Sequence, residues 1–364
     1  MKIELLVGAD DFWARISEDL AAARRSAYLQ TFSFEGDRVG VRLARALRDA
    51  RADDRRLLVD SYSLLYHSDR LIPGPAWSDR ALRREVALTR RWVRRLREQG
   101  VGVRFGNPLG PTPDRLVRRS HKKVAVFDER VAYLGGINFS DHNFAWHDMM
   151  LRVESDELAA LLADDYRAAW RRRPRFFDRT VGALRVISMN GRGNARAFRP
   201  VLEAMDGARR SIEVVSAYLS HPFTSYLARA RERGVEVRVL MPDRNNKSNL
   251  ARHILQRAVR GGFEVLRHPC GMSHMKAMVI DADLLVMGSS NFDFMSYHLL
   301  EEHVVLTRDP QLLTSFHDRV WHPDVRSASA DPVRSSVGTV LGDLAVRAGA
   351  LLAAMLALPG EGTA

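Results

Sequence analysis

The chain writes one pattern twice. Residues 120–141 read SHKKVAVFDERVAYLGGINFSD, and residues 273–294 read SHMKAMVIDADLLVMGSSNFDF. Five landmark pairs keep a single offset of 153: His121 and His274, Lys123 and Lys276, Asp128 and Asp281, Gly135 and Gly288, Asn138 and Asn291. Upstream, ISEDLAAARRS (16–26) is echoed by VLEAMDGARRS (201–211), at an offset of 185. A chain built this way is expected to fold as two like units, and 364 residues suffice for two domains. The two offsets leave about 32 extra residues in the first half. The segment 61–96, which has no clear counterpart, is where the pattern places most of them.

Around these landmarks the order is also shared. Each half runs helix, apolar strand (27–34 and 212–218), arginine-rich amphipathic helix and another strand (39–60 and 223–242). Helices alternating with apolar strands predict an α/β fold of two pseudo-symmetric lobes, each a mixed β-sheet flanked by helices. The expected first lobe is 1–175, the second 183–324, and 325–364 a link plus an apolar helix. The join falls near RRRPRFFDRTVG (171–182), which is basic and broken by Pro174. VRSASADPVRSS (325–336) reads as a flexible link.

Composition narrows the partners. The net charge is +12 and the pI about 10.3, a balance that favours polyanions such as nucleic acid, anionic membrane surfaces or phosphorylated substrates. The sole cysteine, Cys270, excludes an intramolecular disulfide framework and fits a reducing compartment. The opening MKIELLVGADDFW reads as a strand and a helix, not as an apolar leader. Near the end, AVRAGALLAAMLALPG (345–360) has only about 11 residues without a charge, too few to cross a bilayer of ~30 Å. It is expected to be a packed terminal helix.

Side chains at i and i+2 of a strand share a face, so each His-x-Lys is expected to present a ring and an ammonium together. Gly135, Gly136 and Gly288 allow close approach of backbone to a ligand or a sharp bend. Asn138 and Asn291 follow as amide donors, with Ser120, Ser273 and Ser290 as neighbours able to bind substrate. Two such sets suit a phosphodiester. Two lysines and two asparagines neutralise the non-bridging oxygens. One histidine attacks phosphorus while the other protonates the leaving alkoxide. No metal or other cofactor is required, since lysine supplies the positive charge. Asp128 and Asp281 fall off the His/Lys face by strand parity and start turns, where aspartate is favoured. Better candidates to orient the histidines are Asp148 and Glu302, 27 and 28 residues downstream, each heading a third apolar strand that could lie beside the histidine strand.

Over roughly residues 3–320 the chain resembles the phospholipase D superfamily, marked by a duplicated His-x-Lys-x4-Asp followed by Gly-x-x-Asn. Within it, the opening segment, the first motif and GSSNFDFMS are similar to bacterial cardiolipin synthases of the short type without N-terminal membrane helices. The resemblance implies that the two motifs meet at the lobe interface and that Asp128 and Asp281 join the catalytic set. It also implies a phosphohistidine intermediate, phosphatidylglycerol as donor, glycerol as first product and a second phospholipid as acceptor. His121 is the expected nucleophile and His274 the acid/base. Two departures, Met295-Ser296 where Arg-Ser is common and Leu300 where Asn is common, bear on headgroup and acceptor. So does the short first-copy segment HNFAWHD.

Four readings follow: a phosphatidyltransferase, a phospholipase using water, a nuclease favoured by the basic charge, and an inactive binding scaffold disfavoured by two complete motifs. The interleaving of arginine with aromatics in LTRRWVRRLREQG (88–100) and WRRRPRFF (170–177) favours lipid over nucleic acid. The expected partner is therefore an anionic phospholipid met at the inner face of the cell membrane by a cytoplasmic, peripheral protein. RHPCGMSH (267–274) reads as a loop, not a metal site.

Overall fold

The computed structural model describes residues 1–72, 74, 78–269, 271–330 and 334–357. Cys270 lies outside them, as do residues 73 and 75–77 of the expected insertion and 331–333 and 358–364 of the C-terminal segment. The chain forms two compact units, Met1–Arg175 and Phe176–Ala364.

The first unit is built on strands β1 (Lys2–Val7), β2 (Ser26–Thr31), β3 (Asp54–Asp60), β6 (Gly102–Gly106), β7 (Val124–Phe127), β8 (Val131–Gly135) and β9 (Met149–Glu154), with a small hairpin β4 (Tyr66–His67) and β5 (Arg70–Leu71) outside the sheet. The sheet order is β1-β9-β8-β7-β2-β3-β6. β2, β3 and β6 run parallel, and the pairs from β2 through β7 to β1 are antiparallel. Helices α1 (Ala9–Ala22), α2 (Arg38–Asp49) and α3 (Arg80–Glu98) cover one face. Phe12, Ile16, Leu43, Leu47, Trp92 and Leu96 bury themselves there against Ala27, Leu29, Leu57 and Ala125. The period of two in β2 then turns Tyr28 to the other face, where it stacks on Tyr166 of α6 (Asp156–Trp170) at 4.9 Å. Short helices α4 (Pro113–Val117) and α5 (Asp141–Phe144) flank the motif segment. Asp37, Asp79 and Ser155 cap α2, α3 and α6 by accepting orphan N–H groups of the first turn.

The second unit repeats this order. Its strands are β10 (Phe177–Val181), β11 (Leu184–Asn190), β12 (Ser211–Ser216), β13 (Glu236–Pro242), β14 (Glu264–His268), β15 (Lys276–Ile280), β16 (Leu284–Gly288) and β17 (Glu301–Thr307). They run β10-β11-β17-β16-β15-β12-β13-β14, with β11 in the place of β1 and β10 added at the edge. The helices are α7 (Asn194–Ala197), α8 (Arg199–Gly207), α9 (Phe223–Glu232), α10 (Ser248–Gly261), α11 (Phe294–His298), α12 (Pro310–Phe316), α13 (His322–Ser327) and α14 (Val337–Ala357). Val201, Met205, Phe223, Leu227 and Ile254 form the core with Val214, Val239 and Met278.

Several expectations change. The basic join at 171–182 contains β10, because Phe177 and Val181 both turn inward and hold that segment to β11. The insertion is narrower than 61–96: α3 occupies the place between β3 and β6 that α10 occupies between β13 and β14. The extra length is the hairpin segment 61–71 together with α4. The expected link is pinned where described, by a bridge between Ser329 and Arg267 and by Ser335 donating to Gln256. The terminal helix starts at Val337, not at 345, and by length and composition its 21 residues could cross a membrane. The aromatics of the basic segments mostly serve packing. Trp92 and Phe177 are buried, Trp170 stacks near Tyr166 and carries Arg104 over its ring, and Phe176 is exposed.

Candidate active site

Each motif enters the middle of its sheet. The central strands are β7 and β15, but the histidines precede them: β7 begins at Val124, and β15 begins at Lys276. The expectation of a His-x-Lys carried on a strand therefore shifts to the lead-in of that strand. A local bond ties each ammonium to the backbone of its histidine. Lys123 Nζ donates to the carbonyl oxygen of His121 at 2.7 Å, and Lys276 Nζ makes the same bond to the carbonyl of His274. Each bond uses one of the three ammonium donors. His121, Lys123, His274 and Lys276 are all buried. An aromatic ring stands edge-on to each imidazole, Phe32 at 5.2 Å from His121 and Tyr218 at 5.8 Å from His274.

The residues before each histidine differ between copies. Ser120 N–H donates to Asp60 Oδ2 at 2.7 Å, and Ser120 Oγ accepts from Gln30 at 2.8 Å. Ser273 Oγ is buried and has no hydrogen-bond partner. Asp60, at the end of β3, was not foreseen. It also pairs with Arg119 at 3.3 Å and caps the turn at Tyr62, so one buried carboxylate fixes the approach to His121. The Asp-Ser of VDSYS was the available turn signal.

Asn138 is held by its carbonyl oxygen, which accepts from Thr31 Oγ1 at 3.1 Å and Phe32 N at 3.2 Å. A backbone N–H can only donate, so this contact orients the amide and turns its NH2 toward Asn143 Oδ1 at 3.3 Å. Asn291 is buried, beside Ser290, whose hydroxyl donates to the Asn291 carbonyl. The glycines are required by close backbone approach. A Cβ on Gly135 would stand 2.5 Å from the Met149 carbonyl oxygen, and one on Gly288, at φ 149°, only 2.2 Å from the carbonyl of His303.

Asp148 and Glu302 head β9 and β17, but these strands do not adjoin the motif strands; β8 and β16 lie between. The antiparallel turn back through β8 and β16 forces that order. The carboxylates instead meet the glycine-rich ends of the intervening strands. A Cβ on Gly136 would fall 2.2 Å from Asp148 Oδ1, so glycine there makes room for the carboxylate. In the second copy Ser289 stands at that place and donates to Glu302 Oε2 at 2.5 Å, while Ser296 donates to Oε1 at 2.9 Å. Ser296 accepts its place through Asp293, which caps α11 by taking the Ser296 N–H at 2.9 Å. Burial, with the Glu302 charge nearby, pushes the Asp293 carboxyl up to about 6.

Asp128 and Asp281 are tied elsewhere, at the far ends of β7 and β15. Asp128 accepts the N–H groups of Arg24, Arg25 and Ser26, and Asp281 those of Arg209, Arg210 and Ser211. Both adopt positive φ in the turn. Four strand residues separate Asp128 from Lys123, five steps or roughly 16 Å of chain. In both copies the carboxylate serves the backbone, at the opposite end of its strand from the lysine. Another buried charge at the motif is Lys122, paired with Asp165 of α6 at 2.7 Å; the second copy has Met275 there. His268, near the second motif, pairs with Asp324 at 3.3 Å.

At the family level, residues 16–170 and 201–322 match the family described as "Cardiolipin synthase, PLD-like domain". Cardiolipin synthase B of Salmonella typhi is 26% identical over 355 residues, covering 89% of this chain and 78% of that protein. Cardiolipin synthase A of Pseudomonas syringae pv. syringae is 26% identical over 332 residues, covering 85% of this chain and 65% of that one. Among solved structures, the phosphatidylserine synthase of Haemophilus influenzae Rd KW20 superimposes with a TM-score of 0.72 at 13% identity, covering 97% and 95% of the two chains. At that identity the likeness establishes the fold.

Proposed function

Since the chain belongs to the cardiolipin synthase, PLD-like domain family, we propose that it is a phosphatidyltransferase that makes cardiolipin from phosphatidylglycerol. The observation that carries this reading is the duplicated buried pair, a histidine whose own carbonyl holds the ammonium two residues on.

In the first step a ring nitrogen of His121 attacks the phosphorus of phosphatidylglycerol. The bond from phosphorus to the glycerol headgroup oxygen breaks, and His274, protonated, gives its proton to that oxygen, so glycerol leaves. In the second step neutral His274 takes the proton from a hydroxyl of a second phosphatidylglycerol. That oxygen attacks phosphorus, the N–P bond breaks, and cardiolipin leaves with both histidines restored. Lys123 and Lys276, with the amides of Asn138 and Asn291, stabilise the negative charge on the non-bridging oxygens. Asp148 and Glu302 are proposed to orient the histidines and stabilise their cationic forms. Ser273, with an unpartnered hydroxyl beside His274, is a proposed substrate contact, as are Ser120 and Ser290. The enzyme is proposed to work at the inner membrane face.

Incubation with phosphatidylglycerol labelled in its headgroup, followed by product separation, tests the reading. Cardiolipin with released glycerol is expected. Phosphatidic acid with glycerol would assign water as the acceptor. The charge of +12 favours one alternative, a phosphodiesterase acting on nucleic acid; cleavage of single-stranded DNA without lipid turnover would establish it instead.

A further inference from the structure

α14 has two faces of opposite character. Thr339, Gly342, Asp343, Val346, Ala350 and Ala353 are buried and recur at helical spacing. This face lies on α10: Thr339 Oγ1 donates to Gln256 at 2.7 Å, and Asp343 Oδ1 stands 2.9 Å from His253 Nδ1. A Cβ on Gly342 would come within 2.5 Å of the Arg252 Cβ, so the two helices touch at a glycine. Gly349 continues the same seam against the ring of Phe294, the first residue of α11. The opposite face carries Leu341, Leu344, Leu351, Leu352 and Met355, each more than half exposed. Such a run of large apolar side chains on one helix face marks an interaction surface.

The charges beside it select the occupant. α10 contributes Arg252, Arg257 and Arg260 and contains no aspartate or glutamate; α14 adds Arg347. The one acid of the pair, Asp343, is buried, with Arg260 at 3.5 Å and Arg347 at 4.0 Å. The surface of the helix pair is therefore leucine rimmed by arginine. A second copy would bring like charges together on the same patch. An anionic bilayer offers both hydrocarbon for the leucines and phosphates for the arginines.

We infer that the outward leucine face of α14 docks on an anionic phospholipid bilayer, with the helix lying in the headgroup region. α11 follows directly on Asn291 and Asp293, and it packs on α14 through Phe294. Docking thus sets the membrane one helix away from the loop of the second motif. The inference rests on the reading of the substrate as a phospholipid. A helix of 21 residues is long enough to span, but spanning would strip Asp343 from its seam with His253.

The test is flotation of the full chain with vesicles of phosphatidylglycerol or of phosphatidylcholine, comparing wild type, Leu344→Glu/Leu351→Glu and His121→Ala. Wild type is expected to bind phosphatidylglycerol vesicles and to lose binding in high salt. The double leucine variant is expected to bind at least about 100-fold more weakly, roughly tenfold for each leucine withheld from hydrocarbon. Its thermal melting is expected to be unchanged, since both side chains are exposed, and so is its turnover of dispersed short-chain phosphatidylglycerol. Undiminished vesicle binding by the variant, or equal binding of wild type to neutral vesicles, overturns the inference. A wild-type dimer split by the variant, with vesicle binding intact, overturns it in favour of self-association. His121→Ala is expected to float like wild type. Binding without phosphatidyl transfer in wild type would defeat the functional reading and leave the docking surface standing.

Discussion

Asp128 and Arg25 clasp each other twice. The Arg25 N–H donates to Asp128 Oδ1 at 2.7 Å, and the Arg25 guanidinium returns to the Asp128 carbonyl oxygen at 2.6 Å. Arg210 and Asp281 repeat the clasp in the second unit. Two sequence repeats with different offsets, the Arg-Arg-Ser and the motif aspartate, are thereby the two halves of one contact.

The clasp predicts a stability phenotype for a motif residue. Burial raises the Asp128 carboxyl, but the three backbone donors outweigh it and hold the carboxyl below its ordinary range; Asp281 behaves alike. Its contribution is present above the unfolded value and lost as pH falls through the folded one. Asp128→Asn or Asp281→Asn should each cost about 1–2 kcal/mol at pH 7, allowing for solvent at these partly exposed sites. Chemical denaturation at pH 7 and pH 2.5 checks this: the gap from wild type should shrink in acid. Turnover per folded molecule should survive in both variants.

The histidines should behave otherwise. His121→Ala and His274→Ala should each lower kcat by at least about 1,000-fold with melting temperature little changed, because each removes a covalent or proton-transfer step. Activity should persist in EDTA, as lysines supply the charge. Near-normal turnover in either variant would rule out a division of labour between the two motifs.

Lys122 and Asp165 form a buried pair that the second unit replaces with Met275. Lys122→Met removes the ammonium from a buried carboxylate and should destabilise by about 3–5 kcal/mol. Adding Asp165→Leu should recover most of that loss. Urea titration of the two variants measures it; equal stability of single and double variants would contradict the pairing.

Glu35 predicts the opposite pH slope from the clasp. Its carboxyl is buried, accepts Ser68 N–H at 3.1 Å, and lies near Glu85, Asp37, Asp69 and His142. Burial is the main cause that lifts it from 4.5 to about 9, with the Ser68 bond opposing and the acidic neighbours adding. A raised carboxyl contributes stability below its unfolded value and loses it as pH rises through the folded one. Glu35→Gln should therefore gain on wild type from pH 4.5 up to about 9, read as a widening difference in melting temperature.

Much of this architecture was legible in sequence because duplication turns a weak local pattern into a strong one. His274 and Lys276 alone are a decorated strand end; with His121 and Lys123 at a fixed offset they mark a site. Strand parity also separated Asp128 and Asp281 from the histidines. What sequence spacing could not supply was strand order. Asp148 and Glu302 were read as neighbours of the motif strands, but β8 and β16 return between them, a choice made by turn geometry and not by hydrophobic pattern. Asp60 and Asp165 were missed because each is a solitary carboxylate whose partner lies 59 or 43 residues away. Trp92 looked interfacial among its arginines, yet the helical period turns it inward to the core.

The central claim is that phosphatidyl transfer runs through a histidine of one motif and is released by the other. The direct measurement is mass spectrometry of the wild-type enzyme, rapidly quenched after mixing with phosphatidylglycerol under conditions that preserve the N–P bond. The account predicts a phosphatidyl adduct on His121. An adduct on no histidine, with cardiolipin still formed, would contradict it.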